Sequence, residues 1–343
     1  MQIQNLRYSL IPENLEGTPR EIRLGKRDLA RLLVVNRSKG TFSHSHVREL
    51  PQWLNAGDVL VLNNSKRIPG VLRGFTDSNG QVELRFVDLG DDEAGLCRVF
   101  PMHDVRPGSR VRLRDGGCVD ILEMGLTKYN LARVRSAPPS SLRDLLRTQG
   151  IPILGFFYEG LWGTDHLNPY YASVEGSVES PLAGLHFTPE LVARIKAAGI
   201  NVCFVTLHSV GSWLPFLEEN VEDHEMWAEK FCVPKETAVA VSEARSNGKR
   251  VFACGSTSLR AIESAARDDG RVEPMEGKTS LYITPNYRFK ATEGYFTNFH
   301  QYQTSLIVLD AAFGGTDLVK KAYRDASKRR YSFYEFGDAV LYL

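Results

Sequence analysis

Two textures of apolar and polar positions alternate along the chain. Between Asp58 and Arg135 short β-prone runs follow one another at residues 59–62, 71–75, 82–89, 96–100, 110–113, 119–124 and 131–134. Turn clusters separate them, among them Asn63-Asn64-Ser65, Asp77-Ser78-Asn79-Gly80, Pro107-Gly108 and Asp115-Gly116-Gly117. Short strands at this spacing predict a small antiparallel barrel or sandwich. Arg112 and Arg114 alternate with Val111 and Leu113, which makes one face of that strand basic.

After Pro152 the texture becomes strand-then-helix. Thr188-Pro189-Glu190 reads as an N-cap with proline in the first turn, followed by the apolar positions Leu191, Val192, Ile195 and Ala198 and a closing Gly199. Strands are predicted at 202–207, 251–254, 281–284 and 339–343. Helices are predicted at 235–247, from a Ser256 cap through Ala266, at 304–313, and from a Thr316 cap onward. This alternation predicts an α/β (mixed α+β) main domain with an inserted small antiparallel β-barrel domain. The expected division is 1–62 and 150–343 for the main domain and 63–149 for the insert. In such sheets ligands bind at loops beyond the strand ends.

Length and composition fit this picture. A chain of 343 residues with 43% hydrophobic and 24% charged residues is globular and long enough to bury a core without disulfides or a structural metal. Five cysteines form no close pair, and three sit in apolar runs, as expected for reduced, packed thiols in the cytoplasm. No window is apolar enough to span a bilayer, so no membrane partner is expected. The net charge of +1 hides a split: residues 1–149 sum to +6, 150–315 to −7 and the last 28 to +2. One part of the surface thus suits a polyanion better than another.

Four histidines fall at element boundaries: His186 just before a helix start, His208 at the end of an apolar strand, His224 in Glu222-Asp223-His224, and His300 after Asn298 and Phe299. Each alone reads as a hydrogen-bonded structural side chain; together they suggest a shared pocket. His224-Glu225 lacks the second histidine of a zinc-protease helix, and His44-Ser45-His46 has no third ligand nearby. No nucleophile elbow, phosphate-binding lysine loop or dinucleotide fingerprint occurs. Gly255-Ser256-Thr257-Ser258 after a strand reads either as ordinary capping or as a small anion or hydroxyl site at a helix N-terminus, with Arg260 one turn on. Residue patterns alone therefore reach a two-domain enzyme with a histidine-lined pocket and no defined reaction.

Motifs along nearly the whole chain carry a resemblance. The run 176–188, ending Ala183-Gly184-Leu185-His186-Phe187-Thr188, resembles the signature of the S-adenosylmethionine:tRNA ribosyltransferase-isomerases of queuosine biosynthesis. So do Gly57-Asp58 through Ser65, Phe204 to His208, Glu222-Asp223-His224, Gly255 to Arg260, Thr297 to His300 and Phe336-Gly337-Asp338-Ala339. The resemblance implies transfer and isomerisation of the ribosyl group of S-adenosylmethionine onto 7-aminomethyl-7-deazaguanine in tRNA, releasing adenine and methionine. S-adenosylmethionine would be a co-substrate, with no metal. It makes His186, His208 and His300 candidates for acid–base work. Phe187, Thr188, His224, Ser256, Thr257, Ser258, Arg260, Asn298 and Phe299 become candidates for substrate binding. The expected partners are tRNA on the basic barrel side and last helix, and the sulfonium in the acidic core, in a monomer or weak homo-oligomer. The chain departs from the family pattern at 151–157, 167–172, 209–216, Trp227 and 301–305. Two other readings follow from those departures: a paralogue with a different, small acceptor, and a non-catalytic RNA-binding relative.

Overall fold

The computed structural model describes residues 1–343 except 91–93, 154–159, 212, 213 and 215, and the side chain of Pro12. The chain begins with α1 (Arg20–Leu24), the strands β1 (Arg31–Asn36) and β2 (Thr41–His46), β3 (Val59–Asn63) and β4 (Ser65–Arg67). The barrel strands follow: β5 (Val71–Phe75), β6 (Gln81–Asp88), β7 (Ala94–Phe100), β8 (Arg110–Leu113), β9 (Cys118–Leu126) and β10 (Leu131–Ser136). Next come α2 (Leu142–Gln149), α3 (Thr164–Leu167), β11 (Val174–Ser177), α4 (Pro189–Ala197), β12 (Asn201–Leu207) and β13 (Glu229–Val233). The chain ends with α5 (Lys235–Ser246), β14 (Val251–Cys254), α6 (Gly255–Ala265), β15 (Met275–Thr279), β16 (Gly294–Asn298), α7 (Ser305–Gly314), α8 (Thr316–Lys328) and β17 (Ala339–Tyr342).

The strands divide into a nine-stranded mixed sheet, a closed six-stranded antiparallel barrel and the small parallel pair β11–β4. The large sheet runs β15-β13-β12-β3-β14-β16-β17-β1-β2, so the barrel lies in the chain between strands of one continuous sheet. Its centre, β12-β3-β14-β16, is parallel throughout. Every residue of β3, β14 and β16 is buried, as expected of strands covered on both faces. The barrel alternates instead: β8 reads exposed-buried-exposed-buried, so Val111 and Leu113 face the core and the arginines face water. Arg110 pairs with Asp120 at 2.6 Å and Arg112 with Asp77 at 2.6 Å. Leu142, Leu145 and Leu146 of α2 join the barrel core with Leu84, Phe86 and Ile121.

Most predicted elements are present, and the differences have local causes. The run 59–62, met first among the barrel-type strands, is the central strand β3 of the large sheet. Residues 281–284 are not a strand; the strand is β15, whose Met-Glu-Gly-Lys-Thr sequence is exposed over four of five positions and carries no apolar run. Leu281 and Ile283 instead line a cavity. Ser256 does not cap α6: the helix starts at Gly255, whose φ of +81° turns the chain directly out of β14. Thr316 likewise lies inside α8, after Gly315 at φ +81°. Thr188 and Thr304 do cap, accepting from Leu191 N and Ile307 N. His44 and His46, in a run expected as a loop, lie on the edge strand β2, where His44 Nδ1 meets the Tyr331 hydroxyl at 2.8 Å.

Candidate functional site

The parallel strands end at one side of the sheet: β3 at Asn63, β12 at Leu207, β14 at Cys254 and β16 at Asn298. A cavity of about 580 Å³ opens there, beneath Arg85 and Tyr129 of the barrel region. The strand-end rule for open α/β sheets places ligands at this position. Seven of the predicted residues line it: His224, Ser256, Thr257, Arg260, Asn298, Phe299 and His300. Of the altered stretches, residues 154–157 and 212, 213 and 215 lie outside the described residues.

His300 is the best-supported histidine of the wall. Its Nδ1 lies 2.8 Å from Asp310 Oδ2, and Nε2 lies 3.2 Å from Thr297 Oγ1. Asp310 is fully buried in α7 and also accepts from the Tyr323 hydroxyl. An acceptor carboxylate fixes the Nδ1–H tautomer and leaves Nε2 as the basic nitrogen. The backbone is held as well, because His300 N donates to the Tyr323 hydroxyl and its carbonyl accepts from the Tyr8 hydroxyl.

His224 stands on another wall. Its ring stacks on Phe216 at 4.3 Å and 16°, meets the edge of Tyr282, and lies 2.9 Å through Nδ1 from Glu218. Burial works to raise the Glu218 carboxyl, but its bonds from Lys128 and His224 more than offset that and hold it below the usual carboxylate range.

Arg260 reaches the cavity with its charge already matched. It is 6% exposed and forms a buried ion pair with Glu229, while Nε donates to Leu281 O at 2.9 Å. Glu229 in turn accepts from Val210 N at 2.9 Å. The guanidinium thus ties α6 to β13 and to the segment after β15.

Five predicted residues are not on the wall. His186 has no exposed surface; its Nε2 lies 3.1 Å from Asn298 Oδ1, and its Nδ1 has no partner among the described residues. Burial, with the Arg20 charge adding to it, holds this imidazole well below its usual range, so it is neutral. Its reach to the cavity is indirect: Asn298 Nδ2 donates to the carbonyls of Tyr334 and Glu335 at 2.9 and 3.1 Å. Phe187 packs edge-on against Phe296 in the core, Thr188 is a helix cap, and Ser258 is buried in α6. His208 turns toward β4 and β11, with Nδ1 2.8 Å from Ser65 Oγ and its ring over Gly176. Burial lowers this imidazole too, with Arg143 contributing. Periodicity and motif position could not separate a side chain on the wall from one behind it.

The wall also holds residues the sequence reading passed over. Arg67, Glu179 and Glu335 line it. Arg67 donates to Ser180 Oγ at 3.2 Å and to Ile153 O, and burial lowers its pKa. Ser209 Oγ donates to Glu179 at 3.4 Å. Burial pushes the Glu335 carboxyl up to about 7, against the opposing pull of Arg67. The sequence carried one usable signal: Asp310 is the lone charge in the apolar run 306–313, and such a charge is retained only when it is paired.

With this geometry in place, comparison with known proteins is decisive. The family described as "Queuosine biosynthesis protein" matches residues 3–342. The chain belongs to that family. Among its relatives are the S-adenosylmethionine:tRNA ribosyltransferase-isomerases of Symbiobacterium thermophilum, 36% identical over 346 residues, and of Thermotoga maritima, 36% identical over 344 residues, each matched over 100% of both chains. The crystal structure of S-adenosylmethionine tRNA ribosyltransferase from Thermotoga maritima superposes with a TM-score of 0.55 at 31% identity, covering 99% of this chain and 100% of that one. The queuosine-family fold is therefore a mixed sheet with a closed barrel, as the sequence led us to expect. Among the described residues no group of three His, Cys, Asp or Glu is placed to hold a metal ion, and no helix is long and apolar enough to cross a membrane.

Proposed function

We infer that this chain is an S-adenosylmethionine-dependent ribosyltransferase-isomerase. It moves the ribosyl group of S-adenosylmethionine onto 7-aminomethyl-7-deazaguanine in tRNA, forms epoxyqueuosine and releases adenine and methionine. The observation that carries this reading is the match of the whole chain, barrel and sheet together, to enzymes bearing that name. A relative reduced to RNA binding would not need the buried Asp310–His300 pair at the cavity wall.

The chemistry asks for a base near C5′ of the ribose, whose proton is acidified by the adjacent sulfonium. His300 fills that role through Nε2, with Asp310 stabilising the imidazolium that forms, as a buried carboxylate does for a catalytic histidine. The hydroxyls of Ser256 and Thr257, in the first turn of the eleven-residue α6, suit ribose hydroxyls or the methionine carboxylate. The His224–Phe216 stack offers flat apolar surface to adenine, while the Phe299 ring is buried against Tyr323, Tyr331 and Phe333. His186 and Asn298 act as positioning residues for the Tyr334–Glu335 segment. The tRNA docks on the barrel side, where arginines of β8 face outward, and on α8. The cytoplasm is the compartment where both substrates meet.

The test is product release. Incubation with S-adenosylmethionine and tRNA bearing the aminomethyl-deazaguanine should yield adenine and methionine, and neither should appear when the tRNA is left out. Release that is independent of tRNA, or driven equally by a small amine, would sink the tRNA assignment.

A further inference from the structure

The cavity contains one carboxyl that no donor among the described residues answers. Glu335 lines the wall, yet among the described residues its carboxylate takes no hydrogen bond and no ion pair. Its neighbours nevertheless hold its backbone firmly. Arg20 Nη2 donates to the Glu335 carbonyl at 3.0 Å and Arg20 Nε to Gly337 O at 2.6 Å. Asn298 Nδ2 adds bonds to the carbonyls of Tyr334 and Glu335, and Arg23 donates to Phe336 O at 3.4 Å. Arg67, a cation on the same wall, donates through Nη1 and Nη2 to Ser180 and Ile153 and keeps a buried Nε without a partner among the described residues, so it makes no hydrogen bond to this carboxyl. A clamped backbone carrying an unpaired, partly buried carboxyl is an expensive arrangement in the empty protein, and a positive charge on the ligand would resolve it.

We propose that Glu335 is the residue that reads the positive charge of S-adenosylmethionine, making it a specificity determinant for the sulfonium-bearing substrate over its neutral-sulfur product analogues. This rests on the functional reading above. S-adenosylmethionine offers two cations, the sulfonium and the α-ammonium, and a carboxylate attracts either by the same Coulombic chemistry. A sulfonium has no proton to donate, so a carboxylate left without hydrogen-bonding partners suits it particularly well. The charged group that acts on the Glu335 carboxyl is Arg67 from β4, which Glu179 also influences, while Arg20 from α1 and Asn298 from β16 hold the backbone carbonyl of Glu335. Arg67 opposes the burial that pushes the carboxyl up to about 7. Cation binding favours the ionised form, so affinity for the ligand rises with pH through that region.

The experiment is calorimetric titration of the full-length protein and Glu335→Gln with three ligands between pH 6 and 8.5. The ligands are S-adenosylmethionine, S-adenosylhomocysteine (ammonium but neutral sulfur) and methylthioadenosine (neither cation). Glu335→Gln should weaken S-adenosylmethionine about tenfold or more at pH 8, leave methylthioadenosine unchanged, and flatten the rise of affinity with pH. An unchanged S-adenosylhomocysteine affinity assigns the contact to the sulfonium, as proposed; a parallel loss assigns it to the ammonium and overturns the sulfonium specificity. Glu335→Asp should recover part of the preference, and a melting temperature at least equal to that of the wild type shows that the Gln variant is folded. A Gln variant with the same three affinities and the same pH profile as the wild type overturns the proposal while leaving the functional reading standing. Wild-type protein that binds none of the three overturns the functional reading itself.

Discussion

Replacing Glu229 by Gln leaves the Arg260 guanidinium in the cavity wall without its counter-charge. Arg260 is 6% and Glu229 3% exposed, so water cannot substitute for the lost carboxylate. Two carbonyls remain, Leu281 O at 2.9 Å and Thr279 O at 3.4 Å, and neither neutralises a charge. Breaking a buried ion pair from one side costs about 3–5 kcal/mol. With an unfolding entropy of about 2.1 cal/mol/K per residue, 343 residues give about 0.7 kcal/mol per degree. The melting temperature should therefore fall by about 4–7 °C if the chain unfolds as one unit. Arg260→Met should cost a similar amount, because it strands Glu229. The double variant should cost clearly less than the two singles together, since neither side chain then carries an uncompensated buried charge.

The assay is scanning calorimetry on the wild type, both singles and the double, with S-adenosylmethionine affinity measured alongside. The motif position of Arg260 suggested a ligand-holding role; its buried pair with Glu229 supports a structural one, which these measurements test. Strictly additive melting shifts, or Arg260→Met with an unchanged melting temperature and an affinity reduced tenfold or more, would refute the structural assignment and return Arg260 to the ligand.

Three further outcomes are expected. Asp310→Asn should lower kcat for adenine release on the order of a hundredfold with little change in KM, because His300 loses its acceptor and its tautomer; unchanged turnover removes His300 from the role of base. Thr188→Ala removes the cap on Leu191 N and should cost about 1 kcal/mol of stability, read as a small melting shift, while activity stays at the wild-type level; lost activity would mean that Thr188 touches substrate. Glu335 has a folded pKa raised from 4.5 to about 7, so the fold favours its protonated form. Stability from this group is full below pH 4.5 and declines as pH rises to about 7, by up to about 3 kcal/mol. Glu335→Gln should therefore melt above the ligand-free wild type at pH 8 and match it near pH 5, and equal melting at both values would contradict the burial of the carboxyl.

The parts of the fold that were legible in sequence are those where one face or both faces of an element are apolar. The barrel strands alternate, β12 and β14 are apolar runs, and α4 carries its threonine cap where the sequence places it. The buried strands β1 and β16 were passed over although β1 carries an apolar run, and two polar strands escaped for a physical reason: β15 is Met-Glu-Gly-Lys-Thr and β2 is Thr-Phe-Ser-His-Ser-His, both edge strands of the nine-stranded sheet. An edge strand is specified by backbone pairing with one neighbour rather than by burial, so its side chains leave no pattern to read. Gly255 and Gly315 misled differently. A positive-φ glycine starts a helix without any side-chain cap, and the hydroxyl residue that follows it looks like the cap.

The site was legible as a set of motifs and illegible as a wall, and the reason is the depth at which the family's histidines sit. His186 and His300 each follow a recognisable motif, yet one has no exposed surface and the other faces the cavity with a carboxylate behind it. Depth depends on what packs against a strand end, and those partners come from other elements: Asp310 from α7 for His300, Glu229 from β13 for Arg260, Asn298 from β16 for His186. The charge split behaves the same way. Its acidic central section carries Glu179 and Glu229 on one wall, but the Glu335 carboxyl arrives from the tail that sums to +2. Net charge by segment therefore speaks to which surface suits a polyanion, whereas the recognition of a single cation proposed above rests on one carboxyl.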